Sequence, residues 1–401
     1  MKLWQTADSM DARIEAFTIG NDPVLDQDLI PFDCLATIAH VTMLKEIGIL
    51  DSDEAEKLVQ SLNEIINLHS RGQFSIQPNQ EDGHTAIEEF LTGRLGVTGK
   101  KVHTGRSRND QVLTAIRLYE KFAIEELLQL TENLAAAFDR FAQANTGFPL
   151  PGYTHTRKAM PFTVREWAMA FHDALQDDVK LFQGTYELID QNPLGTGAGY
   201  GVPLPVNRQI TTDLLGFSRI LDNPMYAQNS RGKFESRILN DCAMVLYDLN
   251  KWASDLIFFT LPEIGYFSLD PSMVTGSSIM PHKQNPDVLE LIRASYHQVV
   301  GYEYQLKMIP GNLISGYHRD LQFTKEPLMR GLKTCRDVLE ASQVVLKGLT
   351  ANPDNLRMAM TTELLSVQKV MDLVNSGMPF RDAYRQISQI YKPDKPSEDS
   401  L

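Results

Sequence analysis

The stretch from Gly276 to Pro286 joins side chains that bind an anion to a backbone that resists regular structure. It reads Gly-Ser-Ser-Ile-Met-Pro-His-Lys-Gln-Asn-Pro, so that hydroxyls, an ammonium and an amide lie close together. Glycine permits backbone angles that other residues avoid, whereas proline fixes φ and lacks an N–H donor. We predict a stiff loop, neither helix nor strand, that closes over an anionic ligand. Taken singly, Gly-Ser-Ser and Asn-Pro also fit ordinary turns.

A second polar cluster, residues 100–111, gathers lysines, arginines, hydroxyls and amides around one glycine. This density of cations suits recognition of a carboxylate, for which arginine offers paired N–H donors. Structural roles are the alternative, because Arg106 and Arg108 could form ion pairs at a helix end. Either Asn109 or Asp110 could cap the helix that follows. We expect one of these two to cap the helix and the other to face a ligand.

Two further breaks in the helical pattern carry polar or glycine-rich sequence. Residues 149–161 include His155, whose imidazole can carry a proton near neutral pH or can simply serve as a hydrogen-bonded turn residue. The glycines of residues 192–201 could seat backbone close to a ligand, but no strand precedes them as in a dinucleotide-binding fingerprint. Upstream, Asp82 and His84 either face a ligand or only start a helix.

Long segments with helical spacing separate these breaks. The first starts near Asp110 and places on one face Ala123, Leu127, Leu130, Leu134, Phe138 and Phe141. The second opens with Thr163 and Glu166 as a capping box. Later segments with the same spacing cover residues 238–259, the residues after Pro286, and residues 326–349. No alternating strand pattern lies between them, so we predict an all-α bundle of long helices whose wide apolar stripes favour oligomerisation.

The two ends of the chain differ from this bundle. Residues 1–31 show no sustained period and are predicted to form an irregular arm. Two small surface helices are predicted next, one opening at Asp33 and one at Asp51, where Glu54 completes a helix-start signature. Residues 364–391 indicate a small helical hairpin.

These patterns divide the chain into three parts. We predict an N-terminal, mostly helical domain over residues 1–110 and a central long-helix bundle over 111–355 that carries the loop 276–286. A short C-terminal helical unit with a polar tail covers residues 356–401.

Composition excludes several classes of function. The net charge of −13 argues against nucleic acid as the main partner, because such binding depends on neutralising phosphates. With 43% hydrophobic and 22% charged residues, the chain is typical of a folded globular protein. It lacks an apolar run of about 18 residues, and its acidic N-terminus is unlike a signal peptide, so we expect a cytoplasmic protein without a membrane segment. The apolar surroundings of Cys34, Cys242 and Cys335 predict buried, unpaired thiols.

Three of the clusters, residues 104–111, 152–155 and 276–286, together resemble the signature regions of the fumarase/aspartase superfamily. The run Gly-Ser-Ser-x-Met-Pro-x-Lys-x-Asn-Pro is the hallmark of that superfamily. The run from His103 to Gln111 is similar to the argininosuccinate lyase branch in particular. The resemblance extends over nearly the whole chain.

The resemblance implies a homotetramer around a central multi-helix core, with each active site shared among three subunits. It also implies cleavage of argininosuccinate to arginine and fumarate by removal of a proton next to a carboxylate, through an aci-carboxylate intermediate. The family requires no metal and no organic cofactor.

Residue roles follow from the same resemblance. Ser277 is expected to be the base, His155 to manage the proton of the leaving group, and Glu290 to be the charge partner of His155 from another subunit. The residues expected to bind the substrate carboxylates are Ser107, Arg108, Asn109, Thr154, Lys283 and Asn285. Those expected at the arginine end or in its support are Asp26, Asp82, His84, Arg231, Tyr317, Gln322 and Lys325.

The sequence departs from the family pattern near the arginine end. Gly232 follows Arg231 where an aspartate is usual, Arg319 replaces a commoner lysine, and Thr324 replaces an acidic residue; residues 21–23 depart from a small-hydroxyl pattern, and the C-terminal unit is short. Two alternatives therefore remain. One is a sister lyase that releases fumarate from adenylosuccinate or aspartate. The other is a non-catalytic, crystallin-like relative.

Overall fold

A computed structural model describes residues 11–77 and 79–391, and helices dominate it. The α-helices are α1 Ala12–Ile19, α2 Asp22–Leu25, α3 Ile30–Glu46, α4 Ser52–Ser70, α5 Gly83–Leu95, α6 Val97–Lys100, α7 Arg108–Ala144, α8 Val164–Ile189, α9 Arg208–Leu214, α10 Pro224–Asn229, α11 Lys233–Phe259, α12 Asp287–Met308, α13 Lys325–Lys347, α14 Pro353–Met358, α15 Ser366–Asn375 and α16 Phe380–Ile390. Short 3₁₀-helices cover Asp26–Leu29, Lys101–His103, Pro271–Met273, Arg319–Thr324 and Thr362–Leu365. The all-α class is confirmed.

The five long helices α7, α8, α11, α12 and α13 match the segments that apolar spacing predicts. The expected capping box at the start of α8 is present in part. The Thr163 hydroxyl accepts the backbone N–H of Glu166 at 3.1 Å, but the Glu166 carboxylate accepts the Thr163 hydroxyl at 2.8 Å instead of the Thr163 backbone N–H. The C-terminal hairpin is also confirmed: α15 and α16 enclose a small core of Val370, Ala383 and Ile387.

The strands that the structure describes are short and form two-stranded sheets. They are β1 Pro149–Thr154, β2 Arg157–Thr163, β3 Gln191–Asn192, β4 Arg219–Ile220, β5 Phe267–Leu269, β6 Thr275–Gly276, β7 Gln284–Asn285 and β8 Leu349–Ala351. The pairs β1–β2, β5–β8 and β6–β7 are antiparallel, and β3–β4 is parallel. The β1–β2 hairpin is an element that the sequence patterns missed. Its prolines hide it, although a two-stranded ribbon consists of edges, where a missing N–H is tolerated.

The N-terminal region is more ordered than predicted. Over the described residues, the expected irregular arm contains α1, α2 and a 3₁₀-helix, and α3 begins at Ile30 rather than at Asp33. Pro31 lies in the first turn of α3, where its missing N–H leaves no hydrogen bond unmade, so the proline starts the helix instead of ending the arm.

The expectation of small surface helices is wrong for α3. Small or apolar residues occur around its whole circumference, so no one-sided stripe marks its buried state in the sequence. It packs with α4 and α5 in a core that includes Ile30, Leu44, Leu58, Leu62 and Leu91, each fully buried. The capping box of α4, formed by Asp51 and Glu54, is confirmed.

The chain forms two compact units, and each is built from three stretches. The first contains the described residues up to Gln129, together with Lys180–Ala243 and Gln298–Arg336. The second contains Leu130–Val179, Met244–His297 and the described residues from Asp337 onward. The sequence-based division at residues 110 and 355 stays a prediction, and the polar tail falls outside the described residues.

Aromatic side chains fill the interior of the second unit. Phe138 on α7 and Trp252 on α11 are fully buried and meet edge to face, with ring centroids 5.5 Å apart. Phe171 packs on Phe138 at 5.7 Å. Among the described helices, none is long and apolar enough to cross a membrane. The three cysteines are buried and unpaired, as predicted.

The Phe138–Trp252 contact predicts a large stability effect. Phe138→Ala removes a buried ring from a packed core, so we expect the free energy of unfolding to fall by about 3–5 kcal/mol. Urea titration followed by tryptophan fluorescence and circular dichroism measures it. Val344→Ala, at a side chain that is 57% exposed, is the matched control and should change stability by less than about 0.5 kcal/mol. Equal losses in both variants would contradict this packing.

Candidate active site

Asp82 is the N-cap residue of α5. Its carboxylate accepts the backbone N–H of Thr85 at 2.8 Å and the Thr85 hydroxyl at 2.7 Å, which is N-cap geometry. Its other oxygen lies 3.2 Å from Arg108 Nη1. Asp82 therefore both starts the helix and helps to hold an arginine that the sequence predicts at the site.

His84 lies in the first turn of α5 and is buried against Asp33 of α3, where its Nδ1 contacts the Asp33 carboxylate. The other carboxylate oxygen of Asp33 accepts the amide of Gln111 at 3.1 Å. Burial is the largest single effect and favours the neutral imidazole, but the charge and hydrogen bond of Asp33, with the charges of Asp82 and Asp26, together raise the pKa of His84. Likewise, against the effect of burial, His84 lowers the pKa of Asp33. The two groups form a buried ion pair that ties α3, α5 and α7 together.

In the first turn of α7, Asp110 binds backbone N–H groups and Asn109 faces a cavity. The Asp110 carboxylate accepts the backbone N–H groups of Ser107 at 2.9 Å, Gly195 at 3.0 Å and Gly197 at 2.9 Å. The Ser107 hydroxyl accepts the N–H of Asn109 at 3.3 Å. Burial raises the pKa of Asp110 despite these donors. The glycine-rich run thus brings its backbone to an internal carboxylate, while Asn109 faces the cavity described next.

A cavity of about 130 Å³ in the first unit collects charged side chains from several elements. It is lined by Asp22, Asp26, Glu81, Asp82, Arg108, Asn109, Val112, Arg231, Tyr317, Arg319, Gln322 and Lys325. Of the residues expected to bind the substrate, the structure gathers here Asp26, Asp82, Arg108, Asn109, Arg231, Tyr317, Gln322 and Lys325. His84 and Ser107 do not line it.

Most cations of the cavity are already paired with carboxylates. Arg108 Nη1 lies 3.1 Å from Glu81 Oε2, and Arg319 Nη2 lies 3.3 Å from Glu81 Oε1, so one buried glutamate joins two arginines. The Lys325 ammonium lies 3.0 Å from Asp22 Oδ1 and also pairs with Asp26. Asp22, Glu81 and Arg319 were not predicted to bind substrate. They are charged residues close in sequence to positions predicted at the site, and this proximity is the signal that could have found them.

Arg231 and Gln322 have different environments. The Arg231 guanidinium lies over the Tyr317 ring at 5.3 Å, and its Nε has no hydrogen-bond partner among the described residues. Gln322 donates its amide to the carbonyls of Thr18 at 3.1 Å and Ile19 at 3.0 Å. Arg231 therefore has an N–H donor that is unused within the described residues, whereas the amide of Gln322 holds the N-terminal helix α1.

In the second unit, the β1–β2 hairpin presents Thr154 and His155 to solvent at its tip. The tight turn requires left-handed backbone at both central residues, His155 with φ +52° and Thr156 with φ +57°. For two residues that are not glycine, this conformation stores strain of order 1–3 kcal/mol each. The hairpin therefore holds the imidazole at a fixed and accessible position.

The loop from Gly276 to Pro286 is anchored at its base by β6 and β7 and is largely exposed between them. The Ser277 hydroxyl oxygen accepts the backbone N–H of Ile279 at 3.3 Å and of Met280 at 3.1 Å. Lys283 and Asn285 lie on the returning side of the same loop. The expectation of irregular structure is thus confirmed for the middle of the loop and wrong at its two ends, which pair as strands.

Glu290 lies in the first turn of α12 and is exposed, as is His155. Within residues 11–77 and 79–391, neither side chain hydrogen-bonds to the other. The same described residues contain no cluster of His, Cys, Asp and Glu with the geometry of a metal site.

The chain matches a known family of enzymes in sequence. Residues 6–301 match the model of a family described as lyase, which is most of the chain, so the protein is a lyase. A Thermotoga neapolitana argininosuccinate lyase is 47% identical over 98% of this chain and 99% of its own length. One from *Parabacteroides distasonis* is 41% identical over 96% of this chain and 86% of its own length. The chain belongs to the argininosuccinate lyase family.

Solved structures support the fold. An EDDS lyase variant with bound fumarate has a TM-score of 0.81 and 23% identity, with 96% of this chain and 76% of that chain covered. A class II fumarase from Schistosoma mansoni has a TM-score of 0.77 and 17% identity, with 94% of each chain covered. The chain therefore has the long-helix fold of these lyases, as its sequence predicts.

The buried His84–Asp33 pair predicts a pH-dependent contribution to stability. Because the pKa of His84 is raised on folding, His84 stabilises the fold at pH values below about 6.5, and this contribution is lost as the pH rises through the folded-state pKa. Because the pKa of Asp33 is lowered on folding, Asp33 stabilises the fold at pH values above about 3.9, and this contribution is lost as the pH falls through the folded-state pKa. His84→Asn should cost about 3–5 kcal/mol at pH near 6 and less at pH 9. Urea titrations at both pH values measure the difference.

The control for this pair is His172→Asn, because the His172 side chain is 25% exposed and lies next to a well-exposed aspartate. Its cost should be small at both pH values. A cost of His84→Asn that is the same at pH 6 and pH 9 would refute the charged pair.

Proposed function

We propose that the protein cleaves argininosuccinate to arginine and fumarate by removing the proton next to a substrate carboxylate. The hard step is the carbanion, because loss of that proton adds a second negative charge beside the carboxylate. Preorganised donors and cations lower this barrier. Lys283 and Asn285, on one loop with Ser277, provide such groups, and the family membership of the chain supports this substrate.

Ser277 is the proposed base, and the observation that carries the proposal is the environment of its oxygen. A serine is a weak base unless its alkoxide is stabilised. Two backbone N–H groups of the same loop, from Ile279 and Met280, already point at Ser277 Oγ. Closure of the loop over substrate would exclude water and strengthen these interactions.

His155 is proposed to manage the leaving-group proton, with Glu290 of another subunit as its charge partner. Ser107, Arg108, Asn109, Thr154, Lys283 and Asn285 are proposed to bind the substrate carboxylates. Asp26, Arg231, Tyr317, Gln322 and Lys325 would bind the arginine end, while Asp82 and His84 support it through the contacts above.

We infer a cytoplasmic homotetramer in which three subunits contribute to each site. Large apolar side chains on α12 support burial against further copies, since Leu291 is 69% exposed and Tyr304 is 62% exposed. Copies packed along this helix would cover both.

The substrate assignment predicts a selective release of fumarate. Purified protein mixed with argininosuccinate should produce fumarate, followed by its ultraviolet absorbance, whereas adenylosuccinate and aspartate should give at most about 1% of that rate. Fumarate from a sister substrate at a comparable rate, or none from argininosuccinate, would overturn the assignment.

The proposed base predicts a sharp contrast between adjacent serines. Ser277→Ala should lower kcat by about 10²–10⁴-fold, because it removes the group that takes the proton. Ser278→Ala, at the exposed neighbour, is the matched control and should keep most of the activity. Size-exclusion chromatography would verify that both variants assemble as the wild type does. Full activity in Ser277→Ala would place the base elsewhere.

A further inference from the structure

One ammonium serves two carboxylates in the cavity of the first unit. Lys325 Nζ on α13 pairs with Asp26 and with Asp22 Oδ1 at 3.0 Å. The side chains of Lys325 and Asp26 are 4% and 5% exposed, whereas that of Asp22 is 17% exposed. With both carboxylates ionised, these three groups have a net charge of −1. Asp22 is the more exposed of the two carboxylates, so a ligand in the cavity can reach it.

The remaining contacts do not neutralise this surplus. The second oxygen of Asp26 accepts the backbone N–H of Gly83 at 3.1 Å. Arg108 and Arg319, the nearby arginines of the cavity, pair with Glu81. Asp22 Oδ2 has no hydrogen bond within the described part of the chain. Burial, with the nearby Asp26 charge, raises the pKa of Asp22 although Lys325 opposes the change.

A group with a positive charge and N–H donors would complete this arrangement. The cavity also offers an anion receptor: Arg231 is 3% exposed, and its Nε lacks a partner among the described residues. Asp22, whose second oxygen has no hydrogen bond, and Arg231 lie on the walls of one cavity, and their charges are those that attract the ammonium and the carboxylate of an α-amino acid.

We propose that Asp22 is a specificity-determining residue that binds the α-ammonium of the amino-acid end of the substrate. The inference rests on the proposed function for the identity of that end. An end without a cation leaves the second oxygen of Asp22 desolvated and without a hydrogen bond, and an end that carries a phosphate is repelled by the carboxylate. Asp22 thus favours substrates with an α-ammonium group and disfavours those that carry a phosphate or no cation at this end.

The test measures binding, so that it does not depend on turnover. Isothermal titration calorimetry compares L-arginine with deaminated arginine, in which hydrogen replaces the α-amino group. The wild-type protein should bind arginine at least about tenfold more tightly, as expected for a charge-assisted hydrogen bond. In Asp22→Asn, which retains the shape of the side chain and an oxygen for Lys325, the two affinities should differ by less than about threefold.

Asp28→Asn is the matched control, because Asp28 lies on the same 3₁₀-helix as Asp26 but is exposed and does not line the cavity. It should keep the wild-type preference for arginine. Asp22→Ser is a second variant that should lose the preference, and thermal unfolding would verify that each variant is folded. Equal binding of the two ligands by the wild type, or an unchanged preference in folded Asp22→Asn, would overturn the inference. Failure to release fumarate from argininosuccinate would count against the proposed function and leave this binding test intact.

Discussion

The Asp33 carboxylate is the internal charge on which the first unit depends. It is buried on α3, and burial of an unpaired carboxylate would be strongly unfavourable. Its oxygens receive His84 from α5, Gln111 from α7 and, at 3.3 Å, the hydroxyl of Thr37 on its own helix. Satisfying this one group therefore fixes the relative positions of three helices. Two of these helices begin with residues that line the cavity, Asp82 before α5 and Arg108 at the start of α7.

Charge pairing between residues far apart in the sequence also organises the cavity. Each carboxylate there is positioned by a cation from a distant part of the chain, as Glu81 is by Arg319 and Asp26 by Lys325. Such pairs contribute less to net stability than to geometry, because desolvation offsets much of their attraction. Their value at a binding site is that charges are held in place before the ligand arrives, which lowers the cost of reorganisation.

In the second unit, backbone geometry rather than ion pairing positions His155 and the loop that carries Ser277. The turn at His155 adopts a left-handed conformation, and the loop after Gly276 is closed by β6 and β7. In both places an antiparallel pair of strands supports a polar side chain, exposed at His155 and partly buried at Ser277. Such positions suit side chains that must meet a substrate.

Local sequence patterns were sufficient to predict the long helices, the N-cap at Thr163, the capping box at Asp51, and the irregular loop that follows Gly276. Helix periodicity and turn chemistry are local, so the sequence carries them directly. Motif resemblance extended this to the family and to most residues that line the cavity. The buried state of α3, the β1–β2 hairpin, and the ion pairs of Asp22 and Glu81 required the tertiary structure. A buried surface or a charge balance is set by residues far apart in sequence, and only folding decides which of them meet.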